Sequence, residues 1–356
     1  MYLRIRARPW TSALALIVIG AVLGVIVATS SPGSAPSATA SAPLGASPSI
    51  GVGGLGGTAS PISSTGAARS PRPTVGPTRS TATPIPRPTS TPGALSHVWW
   101  IILENHEYGA IIGSGQAPYL NALAAQYGLA TNYYATSHPS EPNYVALVAG
   151  STLGVSSDGV YDLTGPSLFS QLAAAGRTWR VYAQDDQAGC FTGTSADGGP
   201  DGPGAPGTYA RKHNPAISFT SVAGNPAQCR NIGPLGAFDP GAASFELIIP
   251  NLTNDMHDGS IGQGDAFLAA FVPQIIASPA FRAGGVLFIT FDEGGSNGGS
   301  LGDGGGHVAT LIISPDVTAG YRYRAYADHA SLLRTTEGTL GLPCLANACG
   351  RSPIIY

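Results

Sequence analysis

The first hundred residues of this chain contain no acidic side chain. All twenty Asp and Glu residues lie from Glu104 onward, whereas seven of the seventeen Lys and Arg residues precede residue 94. From residue 94 onward, ten basic side chains are therefore set against twenty acidic ones, and only one of the ten is a lysine, Lys212. A body with this charge has no basic face to neutralise a phosphate backbone, which argues against nucleic-acid binding as its main role.

Residues 30–93 also lack aromatic side chains, and all but eleven of them are Ser, Thr, Pro, Gly or Ala. Such a segment buries too little apolar area to offset the entropy of its chain, so we expect a disordered linker. The linker separates a short N-terminal segment from one predicted folded domain at 94–356.

The N-terminal segment, 1–29, has the pattern of an export signal. Arg4, Arg6 and Arg8 precede an uncharged apolar run at 13–28. This run of sixteen residues is shorter than the roughly 20 that span the hydrocarbon core of a membrane, but no sharp cleavage site follows it. The segment is therefore either a cleaved signal peptide or an uncleaved membrane anchor. Both interpretations place the protein outside the cell or on its surface.

Cysteine is scarce, with four residues in the whole chain and no Cys-x-x-Cys pair. In an exported chain, four cysteines favour two disulfides, and three pairings are possible. Cys344 and Cys349 are close in sequence, which makes Cys190 and Cys229 the natural second pair. A metal cluster is the alternative, and the missing Cys-x-x-Cys pattern argues against it.

Short apolar runs alternate with helical patterns along the predicted domain. Near-continuous apolar strands separated by helices are typical of a parallel sheet covered on both faces. The sequence therefore predicts a three-layer α/β/α sandwich with a mostly parallel central sheet. The predicted strands are at 98–103, 179–183, 245–250, 286–291 and 308–313, and the predicted helices are at 117–128, 167–175, 265–276 and 329–340.

Polar side chains follow three of the predicted strands at the point where each strand ends. Glu104 and Asn105 follow the first, His257 lies shortly after the third, and Asp292 with Glu293 follows the fourth. Ligands of open α/β sheets bind beyond the carboxyl ends of strands. Adjacent carboxylates repel each other unless a cation lies between them, so this pattern indicates a metal site. Glu104 and Asn105 also fit helix capping.

Ser140 precedes Pro142 at the predicted start of a helix that continues through 145–149. At the N-cap, a serine most often only caps the helix. A hydroxyl beside the positive end of a helix is also suited to an anionic substrate and, near a cation, to nucleophilic attack. Two further residues have simple structural interpretations: Asp265 as a helix cap, and His329 as a cap or brace.

Two other functions fit parts of the sequence. Ser296 and Ser300 each lie in a Gly-x-Ser-x-Gly pattern, which is typical of a serine acyl hydrolase. The chain after them continues as a Gly-rich loop rather than turning into a helix, which argues against that function. A non-catalytic surface-binding module is suggested by the linker and by the aromatic pairs Trp99-Trp100 and Tyr133-Tyr134, although core packing explains these pairs too.

Taken together, five motifs resemble the bacterial phosphoesterase family of the alkaline phosphatase-like superfamily, which includes acid phosphatases and phosphatidylcholine-type phospholipases C. The resemblance spans residues 97–340. The motifs are Glu104-Asn105-His106-x-Tyr108, His138-Pro-Ser-x-Pro-Asn-Tyr144, Asn254-Asp-Met-His257-Asp258, Thr290-Phe-Asp292-Glu293-x-Gly295 and Tyr326-x-x-His329-x-Ser331-x-x-x-Thr335-x-Glu337.

The resemblance implies a fold, a metal site and a set of catalytic residues. One divalent metal ion, Mg²⁺, Ca²⁺, Mn²⁺ or Zn²⁺, is expected, and Asn254 in place of a histidine found in relatives weakens the case for a second. Ser140 is the expected nucleophile and also reaches the metal. The other expected metal ligands are Glu104, Asn105, Asp292 and Glu293, and the histidines expected to face the phosphoryl group or the leaving oxygen are His257, His138 and His213.

The resemblance also implies the reaction. We expect an exported, metal-dependent phosphoric ester hydrolase that forms a phosphoserine at Ser140. The substrate is a small phosphate ester or a phospholipid head group. A body smaller than that of the larger phospholipases favours an acid phosphatase acting on phosphomonoesters, and a phospholipase C remains the alternative.

Overall fold

The structure is a computed structural model that describes residues 97–186, 190–193, 209–295 and 304–356. The predicted signal segment at 1–29 and linker at 30–93 lie outside these residues. Ser296 and Ser300, on which the acyl hydrolase interpretation rests, also lie outside them.

The described residues form ten strands, eight of them in one central sheet with the order β5-β4-β6-β1-β7-β8-β2-β9 and two, β10 and β3, in a small second sheet. The strands are β1 (Val98–Leu103), β2 (Gly128–Ala130), β3 (Tyr133–Tyr134), β4 (Trp179–Ala183), β5 (Ile232–Pro234), β6 (Phe245–Ile249), β7 (Val286–Phe291), β8 (Thr310–Ile313), β9 (Tyr321–Tyr323) and β10 (Ala327–Asp328).

The centre of the large sheet is parallel. Strand β1 pairs in parallel with β6 on one side and with β7 on the other. Strand β4 continues the parallel arrangement beyond β6, and only β8 runs antiparallel to its neighbours β7 and β2. Because β6, β1 and β7 are adjacent and parallel, the segments that follow them emerge side by side at one edge of the sheet.

Helices cover the sheet in two groups. Helix α3 contacts α4 and α9, while α7 contacts α2 and α8. The predicted mostly parallel α/β sandwich is therefore confirmed. The α-helices of the described residues are α1 (Tyr108–Ile111), α2 (Pro118–Gln126), α3 (Ser140–Ala149), α4 (Leu168–Ala174), α5 (Thr220–Ala223), α6 (Pro226–Cys229), α7 (Ile261–Ile276), α8 (Pro279–Arg282) and α9 (His329–Leu340).

The aromatic pairs of the sequence lie in the core. Trp99 and Trp100 are fully buried in β1, and their indole N–H groups donate to Glu246 and Thr336 respectively. Tyr133 and Tyr134 are buried in β3. Their burial explains these residues through packing, so they do not form a binding surface.

Asp265 has a different role from the one predicted. Helix α7 begins four residues earlier, where Ser260 and Gln263 form a capping box. Asp265 lies inside α7, and its two carboxylate oxygens accept the backbone N–H groups of Tyr119 and Leu120, both at 2.9 Å. Asp265 therefore caps the N-terminus of the neighbouring helix α2, a long-range contact that sequence spacing does not reveal.

Both predicted disulfides are present. Cys190 is bonded to Cys229, and Cys344 is bonded to Cys349. The pairing removes the alternative of a cysteine metal cluster. Among the helices of the described ranges, none combines the length and the apolar character that crossing a membrane requires.

A buried carboxylate on α9 holds the C-terminal segment. Glu337 accepts the backbone N–H of Leu345 at 2.8 Å and is fully buried. Burial raises the pKa of Glu337 to about 7. Since this pKa lies above that of a carboxyl in the unfolded chain, the neutral form contributes stability that is full below about pH 4.5 and is lost as the pH rises through about 7.

We therefore expect the free energy of unfolding to fall between about pH 4.5 and 7.5, with Glu337 responsible for on the order of 1 kcal/mol of the fall. Glu337→Gln keeps the acceptor for Leu345 and cannot ionise, so it should flatten this dependence in urea unfolding at several pH values. Asp162→Asn, which changes an exposed carboxylate, is the matched control. An unchanged slope in Glu337→Gln would contradict the assignment.

Candidate active site

Three carboxylates meet at the edge where the central strands end. Glu104 follows β1 directly, Asp292 follows β7 directly, and Asp255 lies in the turn after β6. Two backbone hydrogen bonds join the three segments: the N–H of Glu104 donates to the carbonyl of Asp255 at 2.8 Å, and that of Asp292 donates to the carbonyl of Leu103 at 2.9 Å. The order of the strands thus brings together acidic groups that are more than 35 residues apart in sequence.

Ser140 enters this cluster from the start of helix α3. It is the first helical residue rather than the N-cap, which is Pro139, and it makes no capping hydrogen bond. Instead its hydroxyl donates to Glu104 Oε2 at 3.1 Å. The simple capping interpretation of Ser140 is therefore wrong. One turn later on the same face of α3, Tyr144 donates its hydroxyl to Glu104 Oε1 at 2.5 Å.

Asp292 is held by backbone groups on one side only. Its Oδ1 accepts the N–H groups of Asn105 at 3.2 Å and Glu293 at 2.6 Å. Its Oδ2 is buried and has no hydrogen-bond partner among the described residues. His329 braces the same residue from behind, because its Nε2 lies 2.6 Å from the Asp292 carbonyl while its Nδ1 lies 3.0 Å from the Tyr133 hydroxyl. His329 is therefore a structural brace.

Glu293 faces the residues that precede the nucleophile helix. Its Oε2 lies 2.8 Å from His138 Nδ1 and accepts the side-chain amide of Asn143 at 3.3 Å. The Asn143 side chain in turn accepts the backbone N–H groups of Thr136 and Ser137, both at 2.9 Å. His138, Glu293 and the start of α3 thus form one connected wall beside Ser140.

Two histidines occupy the opposite side, at different depths. His213 is fully buried, with Nδ1 3.1 Å from Asp255 Oδ2 and Nε2 3.2 Å from Glu104 Oε1. His257 is partly exposed, with Nδ1 2.7 Å from Asp258 Oδ1. We expected both to face the substrate, but the structure places the His213 ring behind Glu104, while His257 alone of the two lines the open cleft.

Burial dominates the electrostatics of the cluster. It raises the pKa of Glu104 well above its ordinary value, and the nearby charges of Asp292 and Asp255 raise it further. Burial and then the charge of Asp292 raise the pKa of Glu293 to about 9, and burial raises that of Asp292 to about 6. The pKa of His213 is lowered by burial, so its imidazole is neutral. Carboxylates this close together repel one another, so the cluster must hold either a bound cation or bound protons.

The residues present fit a divalent cation. The unpartnered, buried Asp292 Oδ2 is an oxygen donor that lacks a positive partner. If the neutral His213 ring donates Nδ1–H to Asp255, its Nε2 lone pair faces Glu104 Oε1 at 3.2 Å, and two such acceptors need a proton or a metal ion between them. Oxygen-rich donors suit Mg²⁺, Ca²⁺ or Mn²⁺, whereas the compact group Glu104, His213 and His257 adds the imidazoles that suit Zn²⁺.

A cleft of about 450 Å³ lies beside this cluster, with Glu293 on its wall, and is large enough for a small ester. Gly295 permits the close approach of two loops on its wall, because a Cβ at this position would lie 2.6 Å from the carbonyl oxygen of Asn105. The residues that line the cleft are Asn105, His106, His138, Pro139, Met256, His257, Glu293, Gly294 and Gly295.

Sequence reasoning assigned no role in the site to four polar residues around the cluster, two of which, Tyr144 and Asp255, stand within the quoted motifs; the other two are Lys212 and Asp158. Tyr144 lies four residues after Ser140, a helical spacing that points both side chains the same way. Lys212 is the only lysine of the chain, and this rarity could have identified it as a candidate site residue. Asp158 lies in a loop without periodicity, and no sequence feature indicated that it reaches the site.

The chain is similar in sequence to proteins that are named as phosphatases. Phosphatidylinositol-3-phosphatase from Mycobacterium tuberculosis is 35% identical over 262 residues, covering 73% of this chain and 82% of that protein. An acid phosphatase from Aspergillus fumigatus is 28% identical over 270 residues, covering 72% of this chain and 58% of that enzyme. The chain thus spans less than two thirds of the length of the fungal enzyme.

A solved structure of a protein in the alkaline phosphatase superfamily from Vibrio parahaemolyticus is similar in fold, with a TM-score of 0.44 and 14% identity, and the match covers 69% of this chain and 66% of that one. The sequence model of the Phosphoesterase family matches residues 112–343, which is more than half of the chain. The chain therefore belongs to the Phosphoesterase family and is a phosphoric ester hydrolase.

Proposed function

We propose that this protein is an exported, metal-dependent acid phosphatase that hydrolyses phosphomonoesters through a phosphoserine at Ser140. One observation carries the proposal: the Ser140 hydroxyl lies at the start of helix α3 and donates to a buried carboxylate, Glu104, at the edge where three central strands end. The positive end of the helix favours an anionic substrate at this position.

The hydrogen bonds of the site orient the nucleophile. The Ser140 hydroxyl donates to Glu104 Oε2, which fixes the position of Ser140 Oγ for attack on phosphorus, while Tyr144 holds the other oxygen of Glu104. A divalent ion held by Glu104, Asn105, Asp292 and Glu293 would lower the pKa of the hydroxyl and withdraw charge from the phosphoryl oxygens. Positioning and electrostatics supply most of the catalysis in phosphoryl transfer.

The reaction also needs an acid in its first half, for the leaving group, and a water molecule in its second half. The bond between phosphorus and the leaving oxygen breaks as the phosphoserine forms, and the departing alkoxide takes up a proton. His257 and His138 both line the cleft and are the candidates for this proton donor. Water then attacks the phosphoserine, which releases inorganic phosphate and restores the Ser140 hydroxyl.

The names of the relatives favour phosphomonoesters over phosphodiesters. Both the mycobacterial and the fungal relative are named as phosphatases, one of them for a phosphate carried by a lipid head group. We therefore take a small phosphate ester, free or on a phospholipid head group, as the substrate class. A phospholipase C remains the second candidate.

Export rests on the sequence of the N-terminal segment and on the two disulfides of the domain. Disulfides form and persist outside the reducing cytosol, which agrees with the predicted signal. If the signal is not cleaved, the same segment would attach the enzyme to a membrane.

Ser140→Ala should abolish turnover of p-nitrophenyl phosphate, with kcat lower by at least about 10³-fold, because no other hydroxyl replaces the nucleophile. Steady-state kinetics on purified, folded protein measure the loss. Ser221→Ala removes an exposed hydroxyl and serves as the matched control, which should retain full activity. Substantial turnover by Ser140→Ala would refute the nucleophile assignment.

Asp292→Asn should separate metal binding from folding. A saturating divalent cation should raise the melting temperature of the chelator-treated protein by about 5 °C. We expect no such rise in Asp292→Asn, and we expect the metal-free variant to be at least as stable as the parent because a neutral amide replaces a buried, unpartnered charge.

Asp162→Asn, with the same change at an exposed position, should keep the full metal response in this thermal melt. A parent protein that shows no response to Mg²⁺, Ca²⁺, Mn²⁺ or Zn²⁺ would contradict the metal site. An undiminished response in Asp292→Asn would contradict the assignment of that ligand.

A comparison of substrates tests the reaction class. We expect kcat/KM for p-nitrophenyl phosphate to exceed that for p-nitrophenylphosphorylcholine at every pH, and both activities to disappear with a chelator. The reverse order would favour the phospholipase C. Hydrolysis of a p-nitrophenyl carboxyl ester without sensitivity to chelators would instead favour a serine acyl hydrolase.

A further inference from the structure

We propose that Lys212 is a phosphate-binding residue, whose ammonium group contacts the phosphoryl oxygens of the bound substrate and stabilises the charge that develops on them. The proposal deepens the proposed function and rests on it. Lys212 was not among the expected site residues, and the family motifs quoted above do not include it.

Lys212 lies next to a residue that lines the cleft. It lies in a short 3-10 turn, Arg211–His213, whose last residue is anchored deep in the cluster by Asp255. The Lys212 side chain is 11% exposed, and its Nζ lies 3.5 Å from Nε2 of His257, a residue that lines the cleft. The ammonium group is therefore at the boundary between the buried carboxylates and the open space.

Asp158 fixes the ammonium group relative to the nucleophile. Its Oδ2 lies 2.9 Å from Lys212 Nζ, and its Oδ1 accepts the backbone N–H of Glu141 at 2.9 Å. Glu141 directly follows Ser140 in the first turn of α3. One carboxylate thus links the lysine to the backbone beside the attacking hydroxyl, which is the arrangement that preorganised charge stabilisation requires.

The contact with His257 is one that a phosphoryl oxygen can replace. Nδ1 of His257 lies 2.7 Å from the Asp258 carboxylate, and Nε2 of the same ring faces Lys212 Nζ. At 3.5 Å this contact is at the long limit of a hydrogen bond. An anionic phosphoryl oxygen is a stronger hydrogen-bond acceptor for an ammonium group than an imidazole nitrogen is, so the exchange is favourable.

The charges around the site also support phosphate binding by Lys212. The Lys212 ammonium acts on all four buried carboxylates, since it lowers the pKa of each of them: Glu104, Asp255, Asp292 and Glu293. A phosphomonoester brings further negative charge to this acidic site, and the ammonium group of Lys212 would stabilise that charge in addition to a bound metal ion. The neighbouring Arg211 is directed elsewhere, towards Glu141 at 3.9 Å and Ser218 at 3.4 Å.

The single lysine makes a direct binding experiment possible. Protein grown with lysine labelled with ¹³C at Cε should give one lysine side-chain signal in NMR, that of Lys212. Addition of inorganic phosphate to the full-length protein, loaded with the activating metal, should shift this signal along a saturable curve. The midpoint should agree with the Ki of phosphate as a competitive inhibitor.

Kinetics of variants provide the second measurement. We expect Lys212→Gln to raise the Ki of inorganic phosphate about 10-fold and to lower kcat/KM for p-nitrophenyl phosphate about 100-fold. Lys212→Arg keeps the charge and should recover part of both. Arg180→Gln removes one positive charge from β4, away from the carboxyl ends of the strands, and is the matched control for charge alone.

Each outcome decides the proposal. A phosphate titration that leaves the lysine signal unmoved, or an unchanged Ki in Lys212→Gln, would overturn it. An unchanged Ki combined with a shifted pH profile of kcat would show that Lys212 only positions His257. If the parent protein itself does not hydrolyse phosphomonoesters, the proposed function fails instead, and the lysine signal then reports phosphate binding on its own.

Discussion

The structure depends on a buried carboxylate at the end of its central strand. Glu104 receives hydrogen bonds from Ser140 and Tyr144 of helix α3 and lies within 3.2 Å of His213, so three segments of the chain meet at one side chain. Burying this acid beside Asp292 is costly unless positive charge accompanies it. The site therefore binds a cation or retains protons, and its chemistry follows from that requirement.

The fold meets the requirement through the parallel order of β6, β1 and β7. Their carboxyl ends deliver acidic groups to one edge, backbone hydrogen bonds link the loops that follow, and His329 supports Asp292 from the helix behind it. Helix α3 then adds Ser140 with the positive end of its dipole. The same arrangement that concentrates negative side chains thus also supplies positive potential for a phosphate, and Lys212 adds to it.

The parts of the fold and of the site that depend on residues close together in sequence were predictable. The apolar runs gave β1, β4 and β7 with their observed ends, and the adjacent pair Asp292 and Glu293 pointed to the site edge. The three-residue strand β5, which contains Gly and Pro, has too short a pattern to detect. Contacts between distant segments were also missed: Asp265 caps another helix, His213 lies behind Glu104, and Asp158 reaches Lys212. Such contacts depend on the fold, and no spacing in one sequence encodes them.

The central claim is that Ser140 carries the phosphoryl group during turnover. The most direct test is to quench the enzyme in acid during steady-state hydrolysis and to locate the covalent phosphate by peptide mass spectrometry. We expect phosphate on Ser140, in an amount that rises when the second step is slowed. Phosphate on a histidine instead, or no covalent phosphate under conditions where turnover is fast, would contradict it.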